Sequence, residues 1–409
     1  MSTDQELKRV RQIFQNKKVN PDFQYFADKG VDYFVNWFMT LERKCCYCGI
    51  EEYKLRELFV SKRLSTKRPR GQSLELERFD SKQNQYTESN CALACYFCNN
   101  HKSDIITRSE HQDYFSESIS KYINDLYQEQ VKITDSQTNF LYLSTLLKSK
   151  YPIFSERFVS ILNKENINTD FLPETKDVWA VDYMPVQTKQ NKFIQFKYNP
   201  DYLRDYKTHK EKITDTTAVC ERIGIETTKT EIIADGGNLI KSKSKVIMTS
   251  KVFKENPNYK FKELIKEIEK LLELRLIIIP LEPKDWIGHA DGMVRFVDNY
   301  TVLINDYSKE TDLYYTEFKM SLRNAGLETI EIPYNPYKNS SDNDATGLYI
   351  NYLQMDGAVF VPTFDLPEDE LALRQFERIF PGQRIIPVKS NEVSKDGGVL
   401  NCVTWNIRR

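Results

Sequence analysis

Two short cysteine pairs, Cys45 with Cys48 and Cys95 with Cys98, offer a ligand set of narrow chemistry. Each CxxC loop supplies two thiolates, and two loops brought together supply four at tetrahedral spacing, which suits Zn²⁺ as a structural staple. Cys46 and Cys91 read as bystanders. Far along the chain lies a second set of reactive types: Asp182 in DVWAVDYMPVQ, Asp235 in ADGGN, His289 and Asp291 in IGHADGMVRF, and Cys402 in DGGVLNCVTW. In an extended segment, the two-residue spacing of His289 and Asp291 puts an imidazole and a carboxylate on one face. Gly397 and Gly398 let the backbone turn closely before Cys402. Cys220 and His209 stand outside any motif and read as structural or surface residues.

Elements of both kinds must position these groups. Val31, Phe34, Trp37, Phe38 and Leu41 recur at helical spacing, as do Phe115, Ile119, Tyr122, Ile123 and Leu126, and Phe261, Leu264, Ile265, Ile268, Leu271 and Leu272. Leu276–Ile279 reads as a buried strand, and Met293–Val297 with Thr301–Ile304 as a hairpin around Asp298 and Asn299. Six of the eight cysteines fall between Cys45 and Cys98, and the polar stretch Gln128–Thr138 follows the second helix. Two domains are therefore expected, 1–135 and 136–409, of α+β class, with no residue-level repeat. A chain of 409 residues at 40% hydrophobic and 29% charged can build two or three cores, which excludes a disordered chain. The net charge of −1 supplies no global field towards nucleic acid or membrane. The longest aliphatic run, Leu276–Pro280, is too short to span a bilayer, and the first residues show no secretory apolar stretch, so a cytoplasmic protein without membrane contact is expected.

Between the cysteine pairs, SLELERFDSKQNQYTESN runs into CALACYFCNNHKSD. These residues resemble the zinc-ribbon HNH endonucleases over about residues 40 to 125. The resemblance implies a ββα-metal core with Glu77 as first ligand of a catalytic Mg²⁺ or Mn²⁺, Asn90 as the loop-bracing middle Asn, and Asn99 as second ligand. The position of the usual water-activating His is Arg78, which cannot act as a base at neutral pH, leaving His101 as a weak replacement beside a solvated-surface reading. Asp80 and Lys102 fit the motif without a clear role. Arg63, Lys67, Arg68 and Arg70 precede the motif with no acid among them, and with Arg78 they form the candidate phosphate-contacting set for DNA.

The four C-terminal segments, taken in order, resemble the agmatine deiminase and peptidylarginine deiminase superfamily, the penteins, over roughly residues 136 to 409. GLYINYLQMDGAVFVPTF, residues 347 to 364, looks like the strand pair that precedes the catalytic cysteine in that superfamily. The resemblance implies a five-module β/α propeller. It implies that Asp182 and Asp291 accept paired hydrogen bonds from a guanidinium, that Cys402 attacks as thiolate with its pKa lowered by the bound cation and His289, and that His289 moves the protons. Trp179 and Asp235 are the substrate-binding candidates, Asp235 alternatively capping a turn. No cofactor is implied. The chemistry fits: a guanidinium carbon is a poor electrophile until carboxylates localise its charge and a strong nucleophile is held against it. Val181 and Asn401 stand where agmatine deiminases commonly carry Arg and His, so the guanidino substrate, a small molecule or a protein arginine, stays open.

The reading that follows is a hydrolase of guanidino C–N bonds joined to an HNH-type module that binds DNA, with cleavage left open by Arg78, an architecture suited to prokaryotic antiphage defence. The alternatives are a nuclease effector regulated by a guanidino-sensing propeller, and a non-catalytic nucleic-acid scaffold. Oligomeric assembly is compatible with all three.

Overall fold

The computed structural model of the protein describes all residues except 1, 2, 68, 69, 81, 206–208, 284, 286, 338, 340 and 342. The chain divides into two compact units, Met1–Val131 and Lys132–Arg409. The division falls four residues before the expected boundary, and the stretch after it is no loose linker. Lys132 is buried and donates to the carbonyl of Leu272, and Ile133 donates its N–H to Thr188. These bonds fasten 132–133 to the second unit.

The first unit is helical around one hairpin. Helix Val31–Thr40 buries Phe34, Val35 and Phe38, one face at three- and four-residue spacing, and Leu41 lies just past its end. Gly30, at φ 87°, makes the tight entry from the preceding helix Gln24–Lys29. Helix Ser116–Val131 buries Ile123, whereas Tyr122 of the expected stripe is exposed and Phe115 precedes the helix. Strands β1 (Glu75–Arg78) and β2 (Cys91–Ala94) pair antiparallel and lead into helix Tyr96–Lys102, a ββα order.

The second unit is five repeats of one plan. Among the described residues its strands are β3 (Phe140–Ser144), β4 (Asn168–Leu172), β5 (Val186–Lys189), β6 (Lys192–Lys197), β7 (Thr228–Ile233), β8 (Ile240–Lys241), β9 (Lys245–Thr249), β10 (Arg275–Ile279), β11 (Val294–Phe296), β12 (Thr301–Asn305), β13 (Glu328–Ile332), β14 (Leu353–Met355), β15 (Ala358–Thr363), β16 (Arg384–Lys389) and β17 (Thr404–Ile407). They form five three-stranded sheets, β5-β6-β7, β8-β9-β10, β11-β12-β13, β14-β15-β16 and β17-β3-β4. In each, the first pair is antiparallel and the second parallel, with at least one helix crossing between the parallel strands. The middle strands are nearly all buried because a crossover helix covers one face and the other faces the shared core. Helix Phe261–Leu272 shows the pattern, burying Leu264, Ile268 and Leu272 and leaving Phe261 exposed. This is the α/β propeller plan, closed by β17 pairing with β3 across most of the unit's length. The repeat is one of backbone order and escapes a search for repeated residues.

Candidate active site

The joint that leads into the first strand of each sheet carries a polar side chain. Asp182 lies in the turn of helix Ala180–Tyr183 before β5, Asp235 before β8, His289 and Asp291 before β11, Asn351 before β14 and Cys402 before β17. The five joints bring together residues that the sequence holds far apart, and all six side chains are buried.

Cys402 and Asp291 form one half of the cluster. The thiol donates to Asp291 Oδ2 at 3.4 Å, and the sulfur accepts from Asn351 Nδ2 at 3.2 Å. Asp291 Oδ2 also accepts from Asn351 Nδ2 at 3.0 Å and Asn401 Nδ2 at 2.7 Å. Asn351 Oδ1 in turn accepts the backbone N–H groups of Val399 and Cys402, fixing the loop that presents the sulfur. Asn401, a departure from the commoner His, therefore serves as a donor to the carboxylate. Asn351 was not singled out from sequence, although it lies within the quoted GLYINYLQMDG segment; its signal is its place in the fourth equivalent joint.

His289 and two acids form the other half. His289 Nε2 meets Asp235 Oδ2 at 2.8 Å, and Nδ1 lies 3.5 Å from Asp182 Oδ1, so a carboxylate faces each ring nitrogen. Asp235 makes no side-chain cap of its turn. It meets the imidazole instead of capping the turn. Asp182 accepts from the N–H of Gly237. A Cβ on Gly237 would sit 2.6 Å from Asp182 Oδ1 and 2.7 Å from His289 Nδ1, which is why the DGG pair is needed here. Val181 N–H donates to the Cys402 carbonyl and ties the two halves together.

Two other expectations change. His289 and Asp291 do not lie on an extended segment, because a 3₁₀ turn over Ala290–Gly292 follows His289 and carries Asp291 into the cluster. Gly398 is wedged by its neighbours, since a Cβ there would lie 2.7 Å from Trp179 Cζ3 and 3.0 Å from Cys402 Sγ. The half-buried Trp179 ring thus flanks the nucleophile loop, with the Lys150 ammonium 5.3 Å from its centroid.

The electrostatics are those of a site short of positive charge. Burial pushes the Asp182 carboxyl up to about 7; His289 pulls the other way, and Asp235 and Asp291 add to the rise. Burial works against charge on His289, but Asp182 and Asp235 outweigh it and carry the imidazole up to about 9, with Lys251 opposing. Burial, then Asp291 and Asp182, pushes the Cys402 thiol well above its ordinary value. Among the described bonds none joins His289 to Cys402.

In the first unit, the sulfurs of Cys45, Cys48, Cys95 and Cys98 lie within 4.8 Å of one another, with Cys48 and Cys95 3.7 Å apart. Four thiolates at about 2.3 Å from Zn²⁺ have edges near 3.8 Å, so the donor set fits a tetrahedral ion. Each of the expected nuclease residues has partners within the protein. Glu77 is buried against Lys102 Nζ at 3.1 Å and Tyr47 Oη at 3.2 Å, and Lys102 is 1% exposed. Asn99 donates to Glu75, and Asn90 spends its amide on the backbone of Asp80 and Gln85. Asn90 thereby braces the loop between the two strands. His101 is exposed, its ring tilted against that of Phe115 with centroids 4.4 Å apart.

The candidate DNA-contacting set is also largely spent. Arg63 pairs with Glu129, Arg70 with Glu75, and Arg78 donates to Asn84 over the ring of Tyr86. Lys67 is exposed, and Arg68 lies outside the described residues. No acid stands in that loop itself, but Glu75 and Glu129 reach it from neighbouring elements.

The second unit has relatives of known fold. A C. jejuni agmatine deiminase with bound substrate superposes with a TM-score of 0.55 at 18% identity, covering 68% of this chain and 96% of that one. The Enterococcus faecalis agmatine deiminase gives 0.54 at 14%, covering 69% and 97%. At such identities the likeness is one of fold. In sequence, the chain is 34% identical to the agmatine deiminase of Ectopseudomonas mendocina over 58 residues, a stretch spanning 14% of this chain and only 16% of that protein. Residues 102–407 match the model of the Porphyromonas-type peptidyl-arginine deiminases along their length, and it is to this family that the chain belongs.

Proposed function

We propose that the second unit is a cysteine-dependent hydrolase that releases ammonia from the guanidino group of an arginine-like or agmatine-like substrate. The observation that carries the reading is the meeting of Cys402, His289, Asp182 and Asp291 in one buried cluster whose acids lack a full complement of cations. The names of the agmatine deiminases of like fold support the same chemistry.

A guanidinium set between Asp182 and Asp291 donates to both carboxylates, which fixes its plane and localises its charge. The cation's arrival offsets the acids that hold the thiol protonated, so the sulfur gives up its proton to solvent as substrate binds, and the ammonia released later takes up an equivalent proton. Cys402 Sγ then forms a bond to the guanidinium carbon. As the C–N bond breaks, His289, protonated by virtue of its two carboxylates, gives its proton to the departing nitrogen, which leaves as ammonia. A water molecule enters, gives a proton back to His289 and attacks the S-alkylthiouronium carbon, and the C–S bond breaks to return the thiol and a ureido product. The net change is substrate plus water to ureido compound plus ammonium.

The test follows ammonia from wild type and Cys402→Ser with arginine, agmatine and a peptidyl arginine as separate substrates. Ammonia formation equal in the two proteins removes the nucleophile assignment, and the preferred substrate sorts small molecules from protein arginines. For the first unit we propose structural Zn²⁺ on Cys45, Cys48, Cys95 and Cys98.

A further inference from the structure

A cavity of about 250 Å³ opens in the second unit, and its lining includes none of the residues around Cys402. Three of its side chains, Lys241, Arg295 and Gln354, are carried on β8, β11 and β14. These are the strands that follow Asp235, Asp291 and Asn351, and the two sets lie three to six residues apart in sequence.

Its polar groups have the opposite balance to the active site. The Arg295 side chain is 3% exposed, donates to the Tyr352 carbonyl at 2.9 Å and lies over the Tyr352 ring. Lys241, 12% exposed, donates to the Ile133 carbonyl at 2.8 Å. One carboxylate serves both cations: Asp135 Oδ2 accepts from Arg295 at 2.9 Å, and Oδ1 lies 3.8 Å from Lys241. Asp135 is itself about a third exposed, so the cations sit deep and their counter-ion stands at the opening. The other lining acid, Asp298, spends Oδ1 on the N–H groups of Tyr300 and Thr301. Burial pushes the Lys241 ammonium down, with Asp135 resisting and Arg295 adding to the push.

We propose that this cavity binds a compact anion, a carboxylate or a phosphate, which takes over Arg295 and Lys241 from Asp135. Two buried donors in different strands, room for a small molecule, and a resident carboxylate that reaches only one cation closely make Asp135 an exchangeable internal ligand. The site is independent of the chemistry at Cys402.

Isothermal titration of the full chain with succinate and, separately, inorganic phosphate tests this. Wild type is expected to bind at least one of them, and the arm that gives heat names the anion class. Asp135→Asn removes the competing carboxylate and is expected to tighten binding by roughly tenfold, since the competent state no longer has to be freed. Lys241→Gln and Arg295→Gln are expected to weaken it by at least about tenfold. No heat with either anion in both wild type and Asp135→Asn overturns the proposal, as does affinity unchanged by Asp135→Asn. Should the charge-removing variants fail to fold, those two titrations decide alone.

Discussion

Both units bury acids, and the difference lies in who supplies the cation. Around Glu77 the partner is the protein's own Lys102, 3.1 Å away and as buried as the carboxylate, with Tyr47 completing the set. Around Cys402, the acids Asp182 and Asp235 share the imidazole of His289, with Lys251 behind Asp235 at 3.8 Å, while the described bonds give Asp291 only the amides of Asn351 and Asn401 and the Cys402 thiol. A buried acid with an internal cation is a finished structural element; a group of buried acids left short of one is a place prepared for a guest. Sequence motifs alone rank Glu77 and Asp182 alike, and the partners separate them.

The largest effect that tests this contrast concerns the cysteines of the first unit. Structural zinc on a four-thiolate site contributes on the order of 10 kcal/mol, comparable to the whole stability of a domain, so the proposed ion predicts a large effect here. A chelator, or Cys45→Ser, is expected to melt the helices of that unit, followed by circular dichroism alongside a zinc-release dye. Release of much less than one ion per chain removes the metal reading.

Next comes Cys402→Ser, expected to lower ammonia release by at least about three orders of magnitude while leaving the melting curve in place. A smaller change sharpens the comparison from the other side. Lys102→Met strands the buried Glu77 carboxylate and is expected to cost about 3–5 kcal/mol in denaturant unfolding, most of it restored in Glu77→Gln/Lys102→Met. Plasmid nicking that depends on Mg²⁺ and is lost in Glu77→Ala would instead make Glu77 a working ligand.

The smallest effect is on the pH profile. With the His289 imidazole raised to about 9 by its two carboxylates, the protonated acid is present through neutrality, and activity is expected to fall as pH rises through that value. Asp235→Asn removes one of the raising charges, so the falling limb should move to lower pH, with a loss of about a hundredfold in rate. A limb that stays in place in the variant separates His289 from the proton transfer.

Much of this was legible in the residue pattern, and the omissions have physical causes. Helical spacing located Val31–Thr40 and Phe261–Leu272, and the Asp298–Asn299 turn located the β11–β12 hairpin. Periodicity could not reveal the fivefold plan, because strand order and parallel pairing leave no mark on single residues. DGG and HxD marked places where backbone and acid approach closely, and Gly237 and Asp291 lie in such places. Asn351 and the pairing of Asp235 with His289 were missed because an amide or carboxylate takes its role from a partner brought in by the fold. The ion pairs of the basic loop were hidden for the same reason, since Glu75 and Glu129, which pair with Arg70 and Arg63, belong to other elements.

Closure of the ring by β17 on β3 has a consequence for assembly. Cys402 sits immediately before the strand that seals the circle, and that strand must find a partner made some 260 residues earlier. Such distant pairing is slow, so the seam beside Cys402 is expected to be among the last parts of the ring to form.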